Sequence, residues 1–362
     1  MKTKASVKSN ELVNIFQPRL GWNKARVTFF VSFIIALCKV QSVCFNKLAQ
    51  GFEGKAKVES NMRRIQRFFA NFVVDTNLIA KLIFCLLPEK PPYRLCLDRT
   101  NWKYGVANIN ILMLSIAYQG MAIPILWTML PKRGNSNTHE RRELIKRFLD
   151  LFGEECIEAF LADREFIGDD WFRELIHNQI PFYIRIRGNM WLTIPGKGPT
   201  KAFWLFNSLP LNTAFHYHKI VSIDGQLVYL SGMKVLNREG KIEYVIVASF
   251  KHDPLALIKY KDRWQIETMF KAFKSGGFNF EDTHLTDPER IAKLIALVCV
   301  AFIWVYLIGI SRNNNGNPIK IKNHGRRAYS LFKFGLMFIA HALLNPVAIK
   351  DLISCFQILS CT

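Results

Sequence analysis

Four residues have types and spacing that could do chemistry: Tyr260-x2-Arg263-x3-Glu267-x6-Lys274. On a helix turning about 100° per residue, they fall within about 60° of arc. A phenol, a guanidinium, a carboxylate and an amine would then project from one wall. Ile266, Met269 and Phe273 on the other wall can pack on a core. Gly276 and Gly277 follow at once and can stop the helix. An acid among phosphate-binding groups suits a metal-dependent site that works on a polyanion. The alternative is a solvated helix face laced with salt bridges.

Two more acids need strands to position them. Tyr93 to Leu97 reads as a short strand ending in Asp98, and Ile157 to Ala162 as a buried strand ending in Asp163. In open α/β sheets, the C-terminal edge of the strands is where sites are built. Alone, either Asp reads as a cap or turn residue; both together with Glu267 make a carboxylate triad. Ile109 to Tyr118 and Met121 to Leu130 form a predicted hairpin joined at Gln119-Gly120. Asn137 with Glu140 is a capping box that starts a helix closed by Gly153. Asp169 to Asn178 reads as a short helix, and Pro181 to Arg187 as a further strand. The order of strands and helices predicts an α/β layer fold with parallel crossovers.

The rest of the chain divides by pattern. Residues 1–90 read as a helical DNA-binding domain, with Pro88, Pro91 and Pro92 as a linker. Within it Met62, Ile65, Phe68 and Phe69 are the apolar side of a helix, and Arg63, Arg64 and Arg67 form a basic edge suited to phosphates. A solvated face is the alternative there. Residues 91–189 are the first part of the α/β core, 190–250 an inserted β subdomain, 251–285 the core helix with Glu267, and 286–362 a helical C-terminal region.

Composition narrows the partner. With 49 basic and 28 acidic residues, the net charge is +21 and the pI about 9.7. That balance points to a polyanion. Half the residues are hydrophobic and 29 are Phe, so the chain buries a large core and is no disordered basic tail. The eight cysteines form no Cys-x2-Cys pair and read as reduced thiols of a cytoplasmic protein, without zinc or disulfides. Met1 to Asn10 is polar and basic, and no signal-peptide cleavage pattern follows it. Leu294 to Ile310 is uncharged and mostly apolar, close to the roughly 20 residues of a membrane span, but reads as the central helix of a large protein. There is no P-loop, GxGxxG, HExxH or internal repeat. His216-x-His218 reads as a satisfied or exposed pair.

Asp98-Arg99-Thr100, Ala162-Asp163-Arg164-Glu165 and the Tyr260/Arg263/Glu267/Lys274 spacing together resemble the DDE transposases of the insertion sequence 4 family, whose YREK signature has those four letters at that spacing. The resemblance covers roughly residues 93–345. It implies a ribonuclease-H-like core in which the two Asp strands are neighbours and a late helix brings in the Glu. Asp98, Asp163 and Glu267 would be catalytic and would hold two Mg²⁺ ions, with Mn²⁺ able to substitute. Arg263 and Lys274 would hold phosphates of a transposon end, and Tyr260 a phosphate near the cut. Several members of the family flip a base onto an aromatic ring. Trp264 matches a family position, and Trp191 and Trp204 are further candidates, each with core packing as the alternative. The implied protein is a bacterial transposase, cytoplasmic and nucleoid-associated, without a membrane. It would bind duplex terminal inverted repeats, cleave them and join them to target DNA, as a homodimer on paired ends. The rivals are a cleavage-only nuclease and a catalytically silent DNA-binding relative.

Overall fold

A computed structural model describes residues 4–323, 325–345 and 347–360, with side chains from Asn10 onward. Among them the chain opens with helices α1 (Lys4–Leu20), α2 (Lys24–Val40), α3 (Phe45–Gly51), α4 (Val58–Asn71) and α5 (Thr76–Cys85). Strands β1 (Tyr93–Tyr104), β2 (Ala107–Tyr118) and β3 (Met121–Met129) follow. Then come α6 (Thr138–Phe152), β4 (Ile157–Ala162), α7 (Asp169–His177) and β5 (Phe182–Ile186). Next are β6 (Trp191–Ile194), β7 (Gly198–Lys201), β8 (Phe215–Ile223), β9 (Gln226–Leu236) and β10 (Ile242–Ser249). Helices α8 (Ala256–Tyr260), α9 (Trp264–Phe273), α10 (Pro288–Asn314), α11 (Leu331–Leu344) and α12 (Ile349–Gln357) complete the chain. It forms two compact units. One comprises Met1–Pro88, Trp102–Ile109 and Met269–Thr362; the other comprises Glu89–Asn101 and Asn110–Thr268.

The strands make one sheet in the order β3-β2-β1-β4-β5-β10-β9-β8-β6-β7. β2 and β3 are antiparallel, while β1 with β4, and β4 with β5, are parallel. This is a mixed α/β arrangement, with the two Asp strands adjacent and parallel, as expected. The expected hairpin is present. Gln119 at φ +49° and Gly120 at φ +96° make the two-residue, left-handed turn that suits the strand twist. Pro124 is tolerated because β3 is the edge strand. Asn137 and Glu140 form the reciprocal capping box of α6. Residues 190–250 supply β6 to β10, which extend the same sheet through β10 against β5.

One boundary differs. β1 does not end at Asp98 but runs on to Tyr104. Thr100 and Trp102 are buried while Asn101 and Lys103 are exposed, so the period of two persists past the acid. What ends near Asp98 is the pairing with β4, whose last partner is Leu97 against Ala162.

The helical unit is organised by α10. An 18-residue window of α10 has mean hydropathy 2.6, which by length and composition could cross a membrane, yet 89% of it is buried within the fold. Its partners are α2, α4, α5 and α11. α10 and α11 meet backbone to backbone. A Cβ on Gly309 would lie 1.9 Å from the Leu331 carbonyl oxygen, and one on Gly335 would lie 2.0 Å from that of Val305. Burial pushes the Cys38, Cys96, Cys299 and Cys355 thiols up. Cys361 lies outside the described residues.

Candidate active site

Parallel pairing puts the two aspartates side by side. Leu97 is in register with Ala162, so Asp98 and Asp163 follow at the same edge of neighbouring strands. Each carboxylate accepts the next residue's backbone N–H: Asp98 Oδ1 from Arg99 and Asp163 Oδ1 from Arg164, both at 2.7 Å. The two segments are also clasped. Arg99 donates from Nε and Nη2 to Glu165 at 2.8 and 3.1 Å, a two-pronged pair, and from Nη1 to Asn110 at 3.1 Å.

The predicted single helix is divided. Tyr260 ends α8, Arg263 ends a 3₁₀ turn, Glu267 lies in α9, and Lys274 stands one residue beyond it. The turn is held down by partners far away in sequence. Asp262 accepts from Arg94 on β1 at 2.5 Å and from Gln265 at 2.9 Å, and its carbonyl accepts from the Cys96 thiol at 3.6 Å. Arg94 reaches Glu158 on β4 as well, at 2.8 and 2.9 Å. Ile266, Met269 and Phe273 are buried as expected. Gly276 and Gly277 end the helix where a Cβ would strike the carbonyls of Lys271 and Ala272.

Tyr260 and Arg263 are buried rather than projecting into solvent. Arg263 pairs with Asp98 at 3.5 Å and with Glu267 one turn on. The Tyr260 hydroxyl donates to Asp163 at 3.5 Å. Burial pushes the Asp98 carboxyl up to about 6; the Arg99 amide and Arg263 oppose this, while Asp163 and Glu267 reinforce it. Burial works to lower the Arg263 guanidinium, but Tyr260, Glu267, Asp163 and Asp98 together hold it above its usual value. Burial raises the Tyr260 phenol, with Asp163 adding to the effect, so it stays a neutral donor. The three acids therefore share one electrostatic environment, with Arg263 as its counter-charge.

An all-oxygen, mutually repelling donor set fits a hard divalent cation. Among the described residues no three acidic, His or Cys side chains stand close enough together to hold a metal ion. The Arg263 guanidinium lies against two of the carboxylates instead.

Lys274, in the helical unit, pairs with Glu281 at 2.7 Å. Arg63 and Arg67 are exposed on α4, and Arg64 is half-buried. Trp264, Trp191 and Trp204 are 63%, 61% and 59% exposed, so the core alternative fails for all three. Trp264 and Tyr260 line a cavity of about 620 Å³ with Val245, Leu257 and Arg185. His216 Nδ1 meets Ser231 at 2.7 Å, and His218 is exposed. Sequence reasoning missed Arg94, Asp262 and the Arg99–Glu165 clasp. The signal for the clasp was a basic residue one place after the first Asp and an acidic residue two places after the second, on parallel strands.

A family model described as "Transposase DDE domain" matches residues 89–304. No curated protein matches the chain. Among solved structures, the chain is similar to a piggyBac transposase in a synaptic complex with hairpin DNA. The TM-score is 0.46 at 13% identity, covering 97% of this chain and 82% of that one.

Proposed function

The chain belongs to the DDE transposase domain family, and from that premise we propose a cut-and-paste transposase of the insertion sequence 4 type. It binds the terminal inverted repeats of its own element, cleaves the ends and joins them to target DNA, as a homodimer on paired ends. The reading includes a bacterial, cytoplasmic, nucleoid-associated setting. The observation that carries it is the placement of Asp98 and Asp163 at one edge of two paired parallel strands, with Arg263 against Asp98 and Glu267.

Asp98, Asp163 and Glu267 would hold divalent ions, Mg²⁺ by preference and Mn²⁺ as substitute. Bound there, the ions supply an activated water or 3′-hydroxyl and a charge sink for the leaving oxygen. The chain's own residues prepare the site. Backbone amides orient the two aspartates, and the Arg99–Glu165 clasp holds their segments together. Arg94 seats the turn before Glu267 through Asp262. Arg263 is the fork for a scissile-region phosphate, and Tyr260, kept protonated, can donate to one. Lys274 contributes a further point charge, and Trp264 an exposed stacking surface.

The test is Glu267→Gln, which keeps the shape and removes the charge. End cleavage with Mg²⁺ should fall by about a hundredfold or more, while end binding changes little because affinity comes mainly from basic contacts to phosphate. Wild-type cleavage by the folded variant would sink the assignment. Cleavage without strand transfer by the wild type would leave a nuclease.

A further inference from the structure

Three arginines in the helical unit surround a cavity of about 430 Å³ between the first turn of α2 and α4. Asn23, Arg26, Phe29, Arg64, Arg67 and Phe68 line it. Its floor is apolar: Phe29 and Phe68 are buried and stack with centroids 4.2 Å apart. Its rim is cationic, and no Asp or Glu lines it. Among the described residues, none of Arg26, Arg64 and Arg67 forms an ion pair.

The guanidinium groups are held in place. Arg26 Cζ lies 4.9 Å from the Phe72 centroid and Arg64 Cζ 5.7 Å from that of Phe52. Arg67 Nε donates to the Arg63 carbonyl at 3.3 Å. Stacking uses a guanidinium face and leaves its edge N–H groups for an outside acceptor. Like charges around one cavity repel, and an anion among them removes that repulsion. Arg63 is exposed on the same helix but does not line the cavity.

We propose that this cavity seats a backbone phosphate of duplex DNA, with Arg26, Arg64 and Arg67 as its ligands and Arg63 outside it. The identity of the polyanion rests on the transposase reading; the place and the residues rest on the cavity itself. A phosphodiester offers two free oxygens to guanidinium forks, and its sugar carbons suit the Phe29–Phe68 floor. Such a contact positions the duplex without reading its bases.

The experiment is a fluorescence-anisotropy titration of the full chain across salt. The probes are a duplex carrying the element's end and an unrelated duplex of equal length. Arg26→Gln and Arg67→Gln should each lower the log–log salt slope on both duplexes, by no more than the roughly 0.9 that one phosphate contributes. Because Arg26 stacks on Phe72, Arg26→Lys is the companion variant: it keeps the charge and should keep the slope. Unchanged slopes for folded Arg26→Gln and Arg67→Gln overturn the proposal, as does a loss confined to the end duplex. The slopes are read without cleavage. A wild type that binds with the full slope but never cuts ends would therefore count against the transposase reading and leave the cavity assignment standing.

Discussion

The acidic edge of β1 and β4 and the arginine cavity between α2 and α4 treat charge in opposite ways. At the sheet edge three arginines have carboxylate partners: Arg94 with Glu158 and Asp262, Arg99 with Glu165, Arg263 with Asp98 and Glu267. At the cavity, arginines are fixed by rings and a carbonyl, without an acid. Paired charge inside a fold sets geometry until a ligand takes it over, as proposed for Arg263; charge held in place yet unpaired is set from the start for a partner from outside. The same side chain thus has two jobs, distinguished by what neutralises it.

The sharpest break would come at Arg99. Its removal strands Glu165 in a half-buried clasp, since the two side chains are only 14% and 22% exposed. Arg99→Ala should lower stability by about 3 kcal/mol in urea unfolding. A loss under about 0.5 kcal/mol would show that the sheet-edge pairs are as dispensable as exposed ones.

Asp98 should move stability the other way. Its folded pKa, about 6, stands above the ordinary value of 3.8, so the ionised form weakens the fold at neutral pH. The penalty is full above pH 6 and fades as the carboxyl takes up its proton toward pH 4. Without divalent ions, Asp98→Asn should therefore be more stable than wild type by about 2 kcal/mol at pH 7.5. The gap should close between pH 6 and 4 in thermal unfolding across pH. A constant difference would mean that burial does not govern this acid.

The smallest effect should be at the cavity. Arg67→Ala should change unfolding free energy by less than about 0.5 kcal/mol, because its charge has no internal partner. A larger loss would mean that the cavity arginines serve the fold, and the contrast would collapse.

Much of this was legible in local signals. The Gln119-Gly120 turn, the Asn137–Glu140 box and the Gly276-Gly277 stop each depend on residues within a turn of one another. Asp163 was legible as a strand end and Glu267 as part of a helical stripe, whereas Asp98, read as a strand end, lies inside β1. Other features were not, because their causes are distant. Nothing near Asp262 announces Arg94, 168 residues earlier, which seats the turn that divides the stripe. β1 runs past Asp98 because alternate residues after it find cover, which a charged run conceals. The exposure of Trp191, Trp204 and Trp264 depends on neighbours that spacing does not specify.

The Gly309–Gly335 crossing has a consequence for how the chain is made. α2, α4 and α5 leave the ribosome before α10, so that apolar helix emerges to partners already synthesised. Its strip around Gly309 fits only backbone and waits for α11, which comes later. Until Leu331 and the residues after it are out, the unfinished protein carries an uncovered oily groove. A chain stopped before Leu331 should therefore light up a hydrophobic dye that the complete chain does not. The same narrow groove admits little but a helix with glycine at the crossing, which makes it a lock cut for one key.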